Sequence, residues 1–534
     1  MKQPFSFPPS GPATGSFIGL HLKSKLLAVQ SKLVLIGGRR SKIFQARHGL
    51  NMTQNKSYLV LMILIATVIG SCSQNSTIVN TWSLPSSFSP SDKFKVTVNG
   101  KECPVIHSDP ATNTHFAYFD FKGGSVKITV TSLDKYYFLN GCKIKPTSKR
   151  IKPHLKGNQA TFTISHPCKI SVENPEIKYR DTNGKGQNLV ILAGEPQTNI
   201  PLKDDPSVIY LGPGLHKQNI ILNKTGQTLY LDGGAILLGT IDVREANDVK
   251  ICGRGVVIFD DTTNTHGDGA STSTMSHPLT TYKACNLTVE GIKLVPRCRT
   301  WATSFINASG LRIKDIGIFA DNRWDMNGDG IDLRGVSDVI ISDCFIRSDD
   351  DAIAMYPWGE NGLIMKNIIV KNCIIWNTAS NVVRLSWDSP IYYDGSIIDG
   401  FTMRNCEIIH GSSNKTQQTV PKGYPHGLFQ SSFVGGNTKQ TFKNFTIENI
   451  IEDYSCLLVL TVPNMIYQNW IFKNISCDDK GIYQSFVNSE HIEGMIFENL
   501  RMGGMLITSP DDANFRGDSL SSKIKFIVTN QFLL

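Results

Sequence analysis

The sequence predicts an all-β chain in which a small β-sandwich precedes a single-stranded, right-handed parallel β-helix. Three observations carry that expectation. From about residue 205, short β-branched strands recur, each ending at Asp, Gly or Asn. The intervals between these endings have a floor in the low-to-mid twenties. No long helical periodicity interrupts the series. A repeat of this kind is one coil of a solenoid, whose apolar interior only the neighbouring coils can cover.

Residues 1–71 read as a leader. They carry nine Lys/Arg and no Asp or Glu, out of 54 basic and 45 acidic residues in the 534-residue chain. The remainder is therefore neutral, and the formal charge of +9 gives no reason to expect a nucleic-acid partner. Lys56 precedes the apolar run Tyr58–Gly70, shorter than the ~20 residues that span a bilayer. A basic flank, a short apolar stretch and small residues before a cleavage point form an export signal. Ile69-Gly70-Ser71-Cys72 resembles a bacterial lipobox, so the expectation is an exported, lipid-anchored protein with Cys72 modified, facing the periplasm or the cell surface. Met52 is then a candidate start, with residues 1–51 an over-extension; the alternatives are an uncleaved anchor or a chance apolar segment.

Residues 73–185 read as the sandwich. Phe94–Val98, His115–Phe121, Ser125–Thr131 and Ala160–Ile164 alternate with period two and are separated by Gly, Asn, Pro and Asp, as short antiparallel strands do. Asp181–Gln187 reads as a linker.

Residues 200–534 read as the β-helix. The strand endings Asp232, Gly253, Gly291, Asp315, Asp343, Asn372, Asn405, Asn449, Asn474 and Asn499 fall 21, 38, 24, 28, 29, 33, 44, 25 and 25 residues apart. The longer intervals imply loops inserted at coil corners. Gly and Asn at a fixed corner supply a left-handed bend, and Asn side chains can bond from coil to coil. Of the twelve cysteines, removing Cys72 leaves an odd number, which no complete disulfide framework fits. No CxxC pair suggests zinc. Cys344, Cys373 and Cys406 recur at one repeat position and read as interior packing.

Two acidic clusters carry the chemistry: Asn327-Gly-Asp329-Gly-Ile-Asp332 and Ser348-Asp349-Asp350-Asp351-Ala-Ile353. Asp329 and Asp351 are 22 residues apart, about one coil, so strand-on-strand alignment stacks them with Asp350 beside them. Crowded carboxylates raise one another's pKa. A protonated acid beside an ionised base is what glycosidic hydrolysis requires, and in a two-carboxylate inverting site the pair stands ~6.5–9.5 Å apart to admit water. The rival is calcium, because Asp325-Met-Asn327-Gly-Asp329-Gly330 matches the opening of an EF-hand loop. The twelfth position, however, is Val336 where a bidentate Glu is needed.

Asn327–Asp332 (NGDGID) resembles the NTDGID motif of glycoside hydrolase family 28, the polygalacturonases, and Asp350–Ala354 (DDAIA) resembles its DDCIA. Leu229–Gly239 and Ile251–Ile258 look like that family's opening coils, and the resemblance spans roughly residues 205–500. It implies a pectin-lyase-like fold and inverting hydrolysis of a poly- or oligosaccharide by a monomer without metal or other cofactor. On this resemblance Asp350 is the general acid, Asp329 and Asp351 position and deprotonate the water, and Asn327 and Asp332 are candidate substrate contacts. Two family 28 elements have no counterpart. Asn381-Val-Val-Arg384-Leu-Ser-Trp387-Asp388 stands where a GHG motif belongs, and the later RIK motif is missing. Asp350–Tyr356 (DDAIAMY), Val382–Trp387 (VVRLSW) and Glu407–His410 (EIIH) are similar instead to DDNIKMY, an adjoining segment and DVIH of family 49, the dextranases and isopullulanases. That family also has a β-sandwich ahead of its helix.

Arg384 could clamp a sugar or serve in an ion pair. Trp301, Trp324 and Trp387 could stack on sugar faces or pack internally, and His410 could touch substrate or be structural. Two other functions share the fold class: a polysaccharide lyase, and a non-catalytic carbohydrate-binding surface protein.

Overall fold

The computed structural model of the chain describes residues 77–110, 112–179, 186–260, 277–321, 327–357, 364–377, 380–386, 394–411, 426–431 and 439–529. The leader with Cys72, both long corner insertions for much of their length, and Trp324 and Trp387 lie outside the described residues.

Two sheets form the N-terminal sandwich. One has five strands, all antiparallel, centred on Phe94–Val98, Val126–Ser132 and Gln159–Ile164. The other has six, among them Thr114–Lys122, Lys169–Glu173 and Asn188–Gly194. Phe94, Ile128 and Phe162 from the first meet Phe119, Ile170 and Ile191 from the second in one core. Asn188–Gly194 lies beyond the expected boundary at 185, yet it pairs in parallel with Thr114–Lys122 of the sandwich. Gln187, expected in a linker, is tied down: its carbonyl accepts from the Tyr137 and Tyr179 hydroxyls at 2.6 and 2.9 Å.

From Val208 to Ile527 the chain winds as a parallel β-helix with three strands to a full coil. In most coils two strands enter a 21-stranded sheet and the third an 11-stranded sheet, while Ile397–His410, Thr441–Glu452 and Ile466–Cys477 each run through both positions of the larger sheet as one strand. All pairings between coils are parallel, from Val208↔Thr228 at one end to Met495↔Ile524 at the other. Among the described residues of the helix only the terminal turn at Met502↔Met505 is antiparallel. Alternate side chains face inward and make one continuous apolar core that includes Cys344, Cys373 and Cys406. All eleven cysteines among the described residues are free thiols.

The corners follow the sequence. Asp315, Asp343, Asn372, Asn405, Asn449, Asn474 and Asn499 all have φ between 53° and 57°, a left-handed conformation that Asn and Asp tolerate. Side-chain amides then link coil to coil: Asn405 Nδ2 donates to Asn372 Oδ1, Asn449 to Asn405, Asn474 to Asn449 and Asn499 to Asn474, at 2.9–3.4 Å. Asp232 departs from the pattern. Its side chain accepts from Tyr210 and the Gly233 amide, and the bend falls on Gly234 at φ 84°. A second ladder, from Asn469 to Asn444 and from Asn444 to Asp399, was not foreseen.

Sandwich and helix share a compact unit, 75–534. Thr114–Lys122 explains the join. Ala117, Phe119 and Phe121 point into the sandwich, while Phe116 and Tyr118 meet Ile236, Val256, Val295 and Phe319 of the helix. These apolar contacts fall on strands of the 21-stranded sheet, and the 11-stranded sheet takes no part in them.

Candidate active site

The acidic clusters lead into consecutive strands of the 11-stranded sheet. Ile331–Arg334 pairs with Ile353–Tyr356 in the register Ile331↔Ile353, and Ile353–Tyr356 pairs with Val383–Leu385 in the register Ile353↔Val383. Val383 then stands against Phe429. Extending these registers back by two residues aligns Asp329, Asp351, Asn381 and Gly427, and one further step aligns Gly328, Asp350, Ser380 and His426. The backbone supports the extension: Gly330 N donates to Asp351 O and Ala352 N to Asn381 O, both at 2.9 Å. Gly330 is required for the close approach. A Cβ there would lie 2.5 Å from Ala352 O and 2.6 Å from Ile346 Cγ2.

One oxygen from each of Asp329, Asp350 and Asp351 lies within 4.8 Å of the other two. That is tighter than the ~6.5–9.5 Å carboxyl separation expected of an inverting pair. The cause is the stacking itself: Asp329 and Asp351 share a register position in adjacent coils, ~4.8 Å apart, and Asp350 is Asp351's neighbour.

The three carboxyls differ in surroundings. Asp351 is buried, and its Oδ1 accepts from Ser380 Oγ at 2.7 Å, Asn381 Nδ2 at 2.7 Å and Asn381 N at 3.1 Å. Those three donors hold that oxygen in place. Asp350 is half-buried, reaching the surface of the site; its oxygens accept from the backbone N–H groups of Asn327 at 2.9 Å and Asp351 at 3.0 Å. Burial, and then the Asp351 charge, raise Asp350 to about 6, against the opposing pull of the Asn327 N–H, Ser380 and Arg384. Asp329 is 3 % exposed and its Oδ1 has no hydrogen-bond partner. Burial, then Asp332, Asp350 and Asp351, push it well above the ordinary carboxylate range. Burial and mutual repulsion thus raise Asp329 and Asp350 together.

The remaining expected residues divide. Asp332 faces outward from its strand beside the trio. It is fully buried with neither oxygen hydrogen-bonded, and burial raises it strongly despite Arg334. Asn327, at φ 57°, presents its N–H to Asp350 while its side chain accepts from Arg299 Nε at 2.8 Å; it positions the acid. Arg384 is inside the site, one coil from Ala354, donating to Ser386 O at 3.0 Å and to Gln430 Oε1. Trp301 is buried between His277, stacked at 5.3 Å, and Tyr356 at 6.0 Å, so it shapes the wall rather than presenting a free face. Trp387 lies outside the described residues.

His410 is a correction. It sits on the 21-stranded sheet, where Nε2 meets Glu173 Oε1 of the sandwich at 2.9 Å and the ring packs against Trp376 and Tyr179. Its partner holds it in the join, away from the carboxylates. The EF-hand reading also fails: Gly330 runs directly into a strand and Val336 is buried in the apolar interior. Ser380, Asn381, Gln430 and His426 were missed. Carrying the register one coil past Asp351 would have found Asn381, 30 residues on.

Comparison with known proteins falls on the same coils. The family model described as glycosyl hydrolases family 28 matches residues 225–386. That match takes in all three clustered aspartates and Arg384, and it supports glycosidic-bond hydrolysis. It ends before the coil of His426. Among solved structures, Dex49A from Penicillium minioluteum aligns with TM-score 0.62 at 16% identity, covering 84% of this chain and 96% of that one; the two share the right-handed β-helical fold. The family 28 exopolygalacturonase of Yersinia enterocolitica aligns at TM-score 0.35 and 11% identity, over 86% of this chain and 97% of that one. No curated protein sequence matches the chain.

Proposed function

We propose that the protein hydrolyses O-glycosidic bonds of a poly- or oligosaccharide, with Asp350 as general acid, Asp351 as the base that deprotonates the attacking water and Asp329 as a second group that holds that water. The observation that carries this reading is the stacked trio of unequal carboxyls. Asp350 is the member that reaches the surface, and its pKa of about 6 keeps the acid form in weakly acidic solution, where it can protonate a leaving oxygen. Asp351 is fixed by three donors, which orients its second oxygen toward a bound water. Asp329, one coil along, faces the same space. Water attack opposite the leaving group inverts the anomeric centre.

The short spacing favours a second reading. Carboxyls close to ~5–5.5 Å apart suit direct attack by one of them and a covalent glycosyl intermediate, which retains configuration. Neutral α-glucans, galactans and pectic polymers incubated with the protein should yield new reducing ends from at least one polymer. Proton NMR during the first turnovers should show the anomer opposite to the substrate linkage. The same anomer would establish the covalent route, and an ultraviolet chromophore from a new double bond would mark a lyase and sink hydrolysis.

The pH profile follows from Asp350. Its raised pKa means the acid form is present below about 6 and is lost above it, so kcat/KM should fall on the alkaline side with an apparent midpoint near 6. Since kcat/KM reports the free enzyme, initial rates at substrate far below KM from pH 4 to 9 check this. A rate that rises through that interval would assign the controlling group to a base.

A further inference from the structure

Two coils past Asp350 the site contains a polar group that no described residue satisfies. His426 is 8 % exposed, and neither Nδ1 nor Nε2 has a hydrogen-bond partner. Buried polar groups are nearly always paired, because losing their water without replacement is costly. An orphaned imidazole two coils from the carboxylates is therefore a group that a bound ligand would satisfy.

Its position is fixed from the reacting centre outward. Asn381 Nδ2 donates to Asp351 Oδ1, and Asn381 Oδ1 in turn accepts from the N–H of Gly427 at 3.1 Å. The same amide donates to Gln430 Oε1 at 2.7 Å, which also accepts from Arg384 Nη1. Gly427 itself cannot take a larger residue freely, since a Cβ would lie 3.0 Å from Cys456 O. The backbone carrying His426 is thus locked to the Asp351 carboxylate through one side chain. The register places His426 in the column of Asp350 and Ser380, roughly 10 Å from Asp350 at ~4.8 Å per coil. That distance is about the length of two sugar rings.

We propose that His426 is a sugar-binding residue, hydrogen-bonding a hydroxyl of a neutral pyranose in a subsite one to two rings from the bond that is cut. The inference rests on the hydrolase reading of the carboxylate trio. Burial and the nearby Arg384 cation push His426 down to about 3, so the ring meets substrate neutral, with one nitrogen a donor and the other an acceptor. A vicinal diol offers the complementary pair. A uronate carboxylate would instead need a cation, and the described contacts of Arg384 commit its guanidinium to Ser386 O and Gln430 Oε1.

His426→Leu tests this, because it keeps the bulk and removes both nitrogens. Burying Leu where a polar group lacked partners should leave the melting temperature unchanged or higher. On a neutral oligosaccharide that the wild type cleaves, KM should rise about tenfold with kcat within about twofold, and His426→Gln should recover part of the loss. In the Asp350→Asn background, titration calorimetry should show an α-glucan hexasaccharide binding more tightly than hexagalacturonate, and His426→Leu should remove that preference. A KM within twofold of wild type for His426→Leu overturns the subsite while leaving hydrolysis standing; so does tighter binding of hexagalacturonate. Undiminished turnover in Asp350→Asn would instead remove the hydrolase reading, and the subsite with it.

Discussion

Asp350→Asn should lower kcat/KM on the natural polymer by about a thousandfold, within the 10²–10⁴-fold that general acid catalysis contributes. The amide has nearly the carboxyl's shape but no proton to give. Stability should change little, because two effects oppose. Removing the carboxyl relieves the like-charge repulsion with Asp351 that helps to raise Asp350. Against that, the new amide N–H must face one of the two backbone N–H groups, of Asn327 or Asp351, that now point at carboxyl oxygens. The melting temperature should therefore stay within a few degrees of wild type, separating lost chemistry from lost fold. Leaving-group dependence separates the roles within the trio. A glycosyl fluoride needs little protonation to depart, so Asp350→Asn should regain most of its rate on that substrate. Asp351→Asn should remain impaired on both substrates, since water must still be activated. Equal losses on polymer and fluoride for Asp350→Asn would deny it the acid's role.

Much of this site was legible because a solenoid turns sequence interval into spatial neighbourhood. Asp329 and Asp351 could be stacked from a 22-residue interval, and the left-handed corners from Asp315 to Asn499 stand where the strand endings put them. Legibility fails where that conversion fails. Asn381 and Gly427 are 46 residues apart, and the long insertion conceals that they are one coil apart, so His426 gave no signal. Nor is the spacing of the trio a matter of interval, since it depends on where side chains point at a corner. His410 looked like part of a local motif, but its decisive partner, Glu173, is 237 residues away in a different sheet. Thr114–Lys122 is buried at nearly every position because it serves two cores, and no pattern within one strand announces the second.

A buried ion pair joins sandwich to helix, and Arg254→Met should expose its contribution. Arg254 Nε lies 3.0 and 2.9 Å from the two oxygens of Asp120, with both residues nearly fully buried, and Nη2 donates to Glu195 O at 2.8 Å. Exposed pairs such as Lys314–Glu290 contribute at most ~1 kcal/mol. Removing one partner of a buried pair costs about 3–5 kcal/mol, because the remaining charge has lost both water and counter-ion. Burial already raises Asp120 and Arg254 opposes that rise, so without the guanidinium its carboxyl should be driven further toward the neutral form. Lys293 moderates the loss. Burial, then Arg254, lower it to about 7, so deleting Arg254 strengthens its positive charge beside Asp120. The expected cost is therefore at the lower end, about 3 kcal/mol, read as a lower urea midpoint. Adding Asp120→Leu should recover much of it, since an apolar pair of similar volume replaces a buried ion pair at little or no cost. If the double variant proves no more stable than Arg254→Met alone, packing of the guanidinium, and not its pairing with Asp120, holds the two parts together.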